Sequence, residues 1–135
     1  LQIPFISLMN GENAKVGIIT ADSKSLSADL LAAVGVSDPT NLVVGGMEDS
    51  RQFYQFAIEE TGTLDAAAVE KEVVSLARNL VADNQQIRAL LLECSLLPPY
   101  AAAVQEAVNL PVFDYITMIN FVFSAVVRQR YTGFI

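Results

Sequence analysis

The one cysteine of this chain stands in the polar triplet Glu93-Cys94-Ser95, between an apolar run and a pair of prolines. Ala89 to Leu92 has the continuous hydrophobicity of a strand buried on both faces of a parallel sheet. Pro98 and Pro99 favour a helix start, because a first-turn residue has no intrahelical use for its N–H. The triplet therefore falls at the carboxyl edge of a strand, the edge at which open α/β sheets bind ligands. A thiol facing the unpaired N–H groups of a helix start is suited to proton transfer, since those groups stabilise negative charge. On that reading Cys94 reacts with thiol reagents faster than free cysteine does. The alternative is a small buried hydrophobe, a common fate of free cysteine. Position alone leaves both open.

Composition removes several other chemistries. With no histidine, the chain alone supplies no Ser-His-Asp triad, no Cys-His pair and no histidine-ligated metal. Lys+Arg total 8 against Asp+Glu 15, and the net charge of −7 argues against nucleic acid or an anionic membrane as partner. No glycine-rich phosphate motif follows an expected strand, and Gly45-Gly46 does not complete one. A single cysteine excludes an internal disulfide and fits a reducing, cytoplasmic setting. The 135 residues are one domain's worth. Their 53% hydrophobic content and mean hydropathy of +0.41 are high for a soluble monomer.

The elements that must position Cys94 are legible from patterning. Lys15 to Thr20 reads as a first buried strand, running into the polar loop Asp22-Ser23-Lys24-Ser25. A helix follows, with Ser27 as N-cap, Leu26 and Leu31 as a staple, and Gly35 as left-handed stop. Asn41 to Gly45 reads as the second strand, and Phe53 to Glu60 as a short helix. From Thr63 and Asp65 to about Ala82 runs the clearest helix, with Val69, Val73, Leu76 and Leu80 on one stripe. Ile87 to Leu92 is the third strand. A helix from Pro99 to Val108 stops at Asn109 and leads to a fourth strand, Pro111 to Phe113. Strands alternating with helices imply a four-stranded, mostly parallel α/β sheet with helices on both faces.

Both ends of the chain are apolar beyond what such a domain needs. Met118, Ile119, Phe121, Val122, Phe123, Ala125, Val126 and Val127 cover nearly every side of a final helix too short to span a membrane. Leu1 to Met9 is equally apolar, contains Pro4 and has no basic start. The expectation is a piece of a longer protein. Residues 1–14 belong to or contact a missing N-terminal half, 15–114 form the α/β domain, and 115–135 pack on that half or on a partner subunit. A homo-oligomer through the apolar terminal segments is expected.

Three stretches together resemble the second half of an aspartate/glutamate racemase superfamily protein: Val16 to Asp22, Leu91 to Ala101 with its Cys-Ser-x-x-Pro element, and Leu110 to Asp114. The resemblance implies two flavodoxin-like three-layer α/β halves with the active site between them, each supplying one cysteine, without cofactor or metal. One thiolate removes the proton alpha to a carboxylate and the other thiol returns one to the opposite face. On this resemblance the expected function is a cofactor-independent racemase or isomerase acting on a small carboxylate-bearing substrate. Cys94 is then one of the two acid/bases, and this chain alone is inactive. Ser95 stands where the family has threonine and is expected to hold the substrate carboxylate; Thr20, Ala21 and Asp22 are expected to line the site. Leu96 and Leu97 replace polar residues of the amino-acid racemases, which leaves hydantoin racemases, arylmalonate decarboxylases and maleate isomerases as alternatives. A non-catalytic α/β binding domain is the remaining one.

The acidic residues nearby have ordinary readings beside functional ones. Strand alternation turns Glu93 away from Cys94, into a supporting role. Asp114 reads as the cap of the last helix. Glu48 and Asp49 read as a solvated loop.

Overall fold

The computed structural model describes residues 2–11, 13–61, 63–131 and 133. Among them four parallel strands, β1 (Lys15–Thr20), β2 (Leu42–Gly46), β3 (Ile87–Leu92) and β4 (Val112–Phe113), form one sheet in the order β2-β1-β3-β4. The expected α/β class and its helices on both faces are therefore found.

The connections explain the layering. From β1 the chain crosses to β2 through α2 (Ala28–Ala33). It then reverses, passing through α3 (Arg51–Ala57) and α4 (Ala66–Asp83) to β3, and through α5 (Ala101–Val108) to β4. A reversal of direction with a constant crossover hand puts the helices on opposite faces. Leu31 of α2 accordingly packs with Val16, Ile18, Ala89 and Leu91 on one face. On the other, Val69, Val73, Ala77 and Leu80 of α4 and Val104 of α5 pack with Ile19, Leu90 and Leu92. The reversal also opens a crevice at the carboxyl ends of β1 and β3, the usual ligand position in doubly wound sheets.

Two glycines let α4 ride close to the sheet. A Cβ at Gly17 would meet Leu90 Cδ2 at 2.5 Å and Leu80 Cδ2 at 3.2 Å. One at Gly45 would meet Leu76 Cδ1 at 3.2 Å. Between β1 and β3 the register shifts at Lys15/Val16, so the irregularity lies at the amino end. The carboxyl ends stay paired, Ile19 with Leu92, which fixes the faces on which the following residues emerge.

Several local expectations are met. Ser27 caps α2 through a bond from Leu30 N–H, and Gly35 follows with φ +86°. Asn109 closes α5 in the left-handed conformation. Asp114, only 4% exposed, caps α6 (Tyr115–Val126) in a reciprocal capping box with Thr117. Of the two expected starters of α4, Thr63 and Asp65, it is Asp65 that caps the helix, through a bond from Ala68 N–H.

The first segment is the apolar stretch expected to belong to or contact a missing N-terminal half. Gln2–Asn10 is a helix, α1. Pro4 lies in its first turn, where a missing N–H costs nothing. Ile3 and Ile6 are buried against Val16 and Ile18 in the domain's own core, while Phe5, Leu8 and Met9 face outward. By contrast α6 buries none of its residues. Phe5 and Phe121 approach with ring centroids 5.5 Å apart. They flank an apolar groove of about 440 Å³ that Met118 and Val122 complete. No helix among the described residues is long and apolar enough to cross a membrane.

Candidate active site

Strand alternation distributes the triplet over two faces. Leu92 points into the α4 side, so Glu93 emerges on the opposite side and Cys94 returns to the first. Glu93 N–H donates to the Ile19 carbonyl (2.8 Å), which continues the β1–β3 pairing by one residue. The Glu93 carboxylate accepts the hydroxyl of Thr20, a residue only 4% exposed (2.9 Å). Cys94 is half-buried and packs against the cluster beneath α4 and α5. Ser95 is exposed.

A cleft of about 520 Å³ opens at these strand ends. Thr20, Ala21 and Asp22 line it from β1, Glu48 from the end of β2, and Glu93 from β3. Lys24, Ser25, Tyr54 and Ile58 complete the wall. The structure thus brings three of the five expected site residues into one cleft. Cys94 and Ser95 stand beside it, at the end of the same strand as Glu93, and do not line it.

The donors around Cys94 differ from those expected. The residues after it form a turn closed by Leu97 N–H on the Cys94 carbonyl (3.0 Å), then a 3-10 turn over Pro98–Tyr100. The α-helix begins only at Ala101. Pro98 and Pro99 have no N–H, and that of Tyr100 is taken by Leu97. The first helical turn therefore offers the thiol none of the donors it was expected to. Among the described residues the N–H groups of Ser95 and Leu96 have no protein acceptor.

Glu48 was read as a solvated loop residue, and that was incomplete. Its carboxylate accepts both the N–H (3.1 Å) and the hydroxyl of Ser23, tying the loop after β2 to the loop after β1. A Cβ on Gly46 would fall on that carboxylate, so the glycine is what lets Glu48 fold back. The Gly46-Met47-Glu48 spacing was the available signal. Burial pushes the Glu48 carboxyl up, but bonds from the Ser23 hydroxyl, its own N–H and the Ser23 N–H outweigh it. The net position is below the ordinary 4.5. Because the folded value lies below the unfolded one, this contribution is present above about pH 4.5 and is lost as pH falls through the folded value. The stability difference between the protein and its Glu48→Gln variant should thus be constant near neutrality and shrink below about pH 4. Urea titrations at a series of pH values measure it, and a gap unchanged down to pH 3 would refute it. Asp22 is also held below its usual range, first by the Ser25 hydroxyl and then by the Lys24 N–H.

The four-stranded parallel sheet, with the cysteine at its carboxyl edge, defines an α/β class of fold. Among solved structures the chain is similar to the allantoin racemase of Pseudomonas fluorescens, with a TM-score of 0.53 and 17% identity over 94% of this chain and 56% of that one. That likeness concerns the fold. No protein-family model matches the chain.

Its sequence relatives carry a different activity in their names. It is 37% identical to dimethylsulfoniopropionate lyase 5 of Emiliania huxleyi, over 80% of this chain and 22% of that protein. It is 32% identical to dimethylsulfoniopropionate lyase 7 of the same organism, over 98% of this chain and 40% of that protein. Against the dimethylsulfoniopropionate lyase of Durusdinium sp. clade D, identity is 33% over 88% of this chain and 40% of that protein. The chain thus spans well under half the length of the curated relatives it matches. These names overturn the racemase or isomerase expectation: the relatives are lyases.

Proposed function

We propose that this chain is the cysteine-bearing α/β domain of a lyase that cleaves dimethylsulfoniopropionate, with Cys94 as the base. The carrying observation is similarity to proteins of that name over most of the chain, at 32% to 37% identity in Emiliania huxleyi. The substrate named there has a carboxylate, two methylene carbons and a dimethylsulfonium group. Its elimination balances simply. The base takes a proton alpha to the carboxylate, the electron pair becomes the carbon–carbon double bond, and the carbon–sulfur bond breaks with its electrons leaving on sulfur. The products are acrylate, dimethyl sulfide and a proton on the base.

This chemistry shares its first step with racemisation and differs in the fate of the carbanion. Racemisation needs a second acid on the opposite face, whereas elimination discharges the carbanion internally and needs one base. In this reading Cys94 removes the proton, and the N–H groups of Ser95 and Leu96, with the Ser95 hydroxyl, hold the carboxylate whose charge grows in the transition state. Thr20, Ala21 and Asp22 form the adjoining wall. The apolar groove between α1 and α6 is where further polypeptide or a second copy packs, since it leaves Phe121 and Val122 more than half exposed. The full-length protein containing this domain should release dimethyl sulfide and acrylate in equal amounts from dimethylsulfoniopropionate, as read by headspace gas chromatography and product chromatography. A purified, folded protein that releases neither would defeat the reading.

A further inference from the structure

The cleft wall carries three carboxylates, those of Asp22, Glu48 and Glu93, against one ammonium, that of Lys24. Their oxygens are not equally available. Asp22 accepts Lys24 N–H on Oδ1 and the Ser25 hydroxyl on Oδ2. Glu48 accepts the Ser23 N–H on Oε2 and the Ser23 hydroxyl on Oε1. Both carboxylates are thus spent on the loop that bears them or faces them. Glu93 is different: the Thr20 hydroxyl holds Oε2 at 2.9 Å, and Oε1 has no hydrogen-bond partner among the described residues. Thr20 is buried, so the anchor is rigid, while Glu93 itself is exposed to the cleft.

We infer that Glu93, anchored by Thr20, determines specificity by receiving the positively charged end of the substrate. The inference rests on the lyase reading, and the lyases similar to this chain are named for a substrate that carries a permanent sulfonium charge. A sulfonium has no N–H or O–H to donate, so its recognition is a matter of placed negative charge and aromatic faces, not of hydrogen bonds. Glu93 supplies the charge, and Tyr54 on the same wall supplies a ring. Glu93 also precedes Cys94 directly, so their Cα atoms are about 3.8 Å apart. In the substrate a single methylene carbon separates the sulfur from the carbon to be deprotonated. The opposite emergence of the two side chains places charge recognition and proton removal on different sides of one strand end.

The test compares two ligands of nearly equal shape on the full-length protein: dimethylsulfoniopropionate, and 4-methylpentanoate, in which a neutral CH replaces the sulfonium. Calorimetry gives both affinities, and steady-state release of dimethyl sulfide gives kcat and KM. Glu93→Gln keeps an acceptor for Thr20 and removes the charge. It should weaken the cationic ligand roughly tenfold, between the worth of a charge pair in water and near a protein surface. It should leave 4-methylpentanoate unchanged, and raise KM with little effect on kcat. Thr20→Val, which frees the carboxylate, should lose a smaller part of the same discrimination. Unchanged binding of the neutral ligand also reports that the variant is folded. Equal losses for both ligands would overturn the inference in favour of a structural role, and so would wild-type protein that does not prefer the cation. Charge-selective loss in a protein that releases no dimethyl sulfide would support the inference and overturn the elimination reading.

Discussion

Replacing Cys94 with alanine in the full-length protein should reduce dimethyl sulfide release by about 10²- to 10⁴-fold, the usual worth of a positioned general base. Substrate binding should change little, because the proposed carboxylate donors are backbone N–H groups that the substitution leaves in place. The side chain is half-buried at the margin of the core, so alanine removes one sulfur from a partly solvated position without opening a deep cavity. The variant should therefore unfold close to the wild-type midpoint. A fall in kcat with KM and stability preserved identifies the thiol as the reacting group. Undiminished turnover would show that Cys94 is packing only, and would move the search for the base to the carboxylates of the cleft.

The second large effect belongs to the fold that presents the cysteine. Gly17→Ala should destabilise the protein by about 1–3 kcal/mol, because the new methyl meets Leu90 Cδ2 at 2.5 Å and the facing Leu80 and Ile87 leave it no room. Leu90 is fully buried, and Leu90→Ala alone should cost about 2–5 kcal/mol through the cavity it leaves. Combined, the two should cost less than their sum by at least about 0.5 kcal/mol, since the methyl on residue 17 moves toward the space vacated at residue 90. Urea titration of the two single variants and the double variant gives the coupling. Simple additivity would mean that the approach of α4 to the sheet relaxes by another route.

What the sequence made legible follows from how locally each feature is determined. β3 is found as read, Ile87 to Leu92, because a strand buried on both faces needs an uninterrupted apolar run. Ser27, Gly35, Asn109 and Asp114 end or start helices as read, since capping depends on one residue and its immediate neighbours. α1 was not legible as a helix: its apolar residues follow no single stripe, and its burial depends on β1 and β3, distant in sequence. The position of Cys94 at the strand edge was legible, but the helix donors assumed for it were not real. The prolines that mark the helix start are the residues that lack them. Glu48 was misread because its partner, Ser23, lies on another loop and only the fold brings them together. The reaction for which the relatives are named was illegible for a chemical reason. Removal of a proton alpha to a carboxylate serves racemisation and elimination alike, and the leaving group that separates them belongs to the substrate.

The most direct measurement follows the hydrogens on the carbon next to the carboxylate. Full-length protein given dimethylsulfoniopropionate with both of those hydrogens replaced by deuterium should release dimethyl sulfide more slowly than from the unlabelled compound. The acrylate formed should carry one deuterium at that carbon, and the Cys94→Ala protein should show neither the rate nor the product. Dimethyl sulfide released together with 3-hydroxypropionate that retains both deuterium atoms, the product of displacement by water, or label washed out with no dimethyl sulfide formed, would contradict elimination at this site.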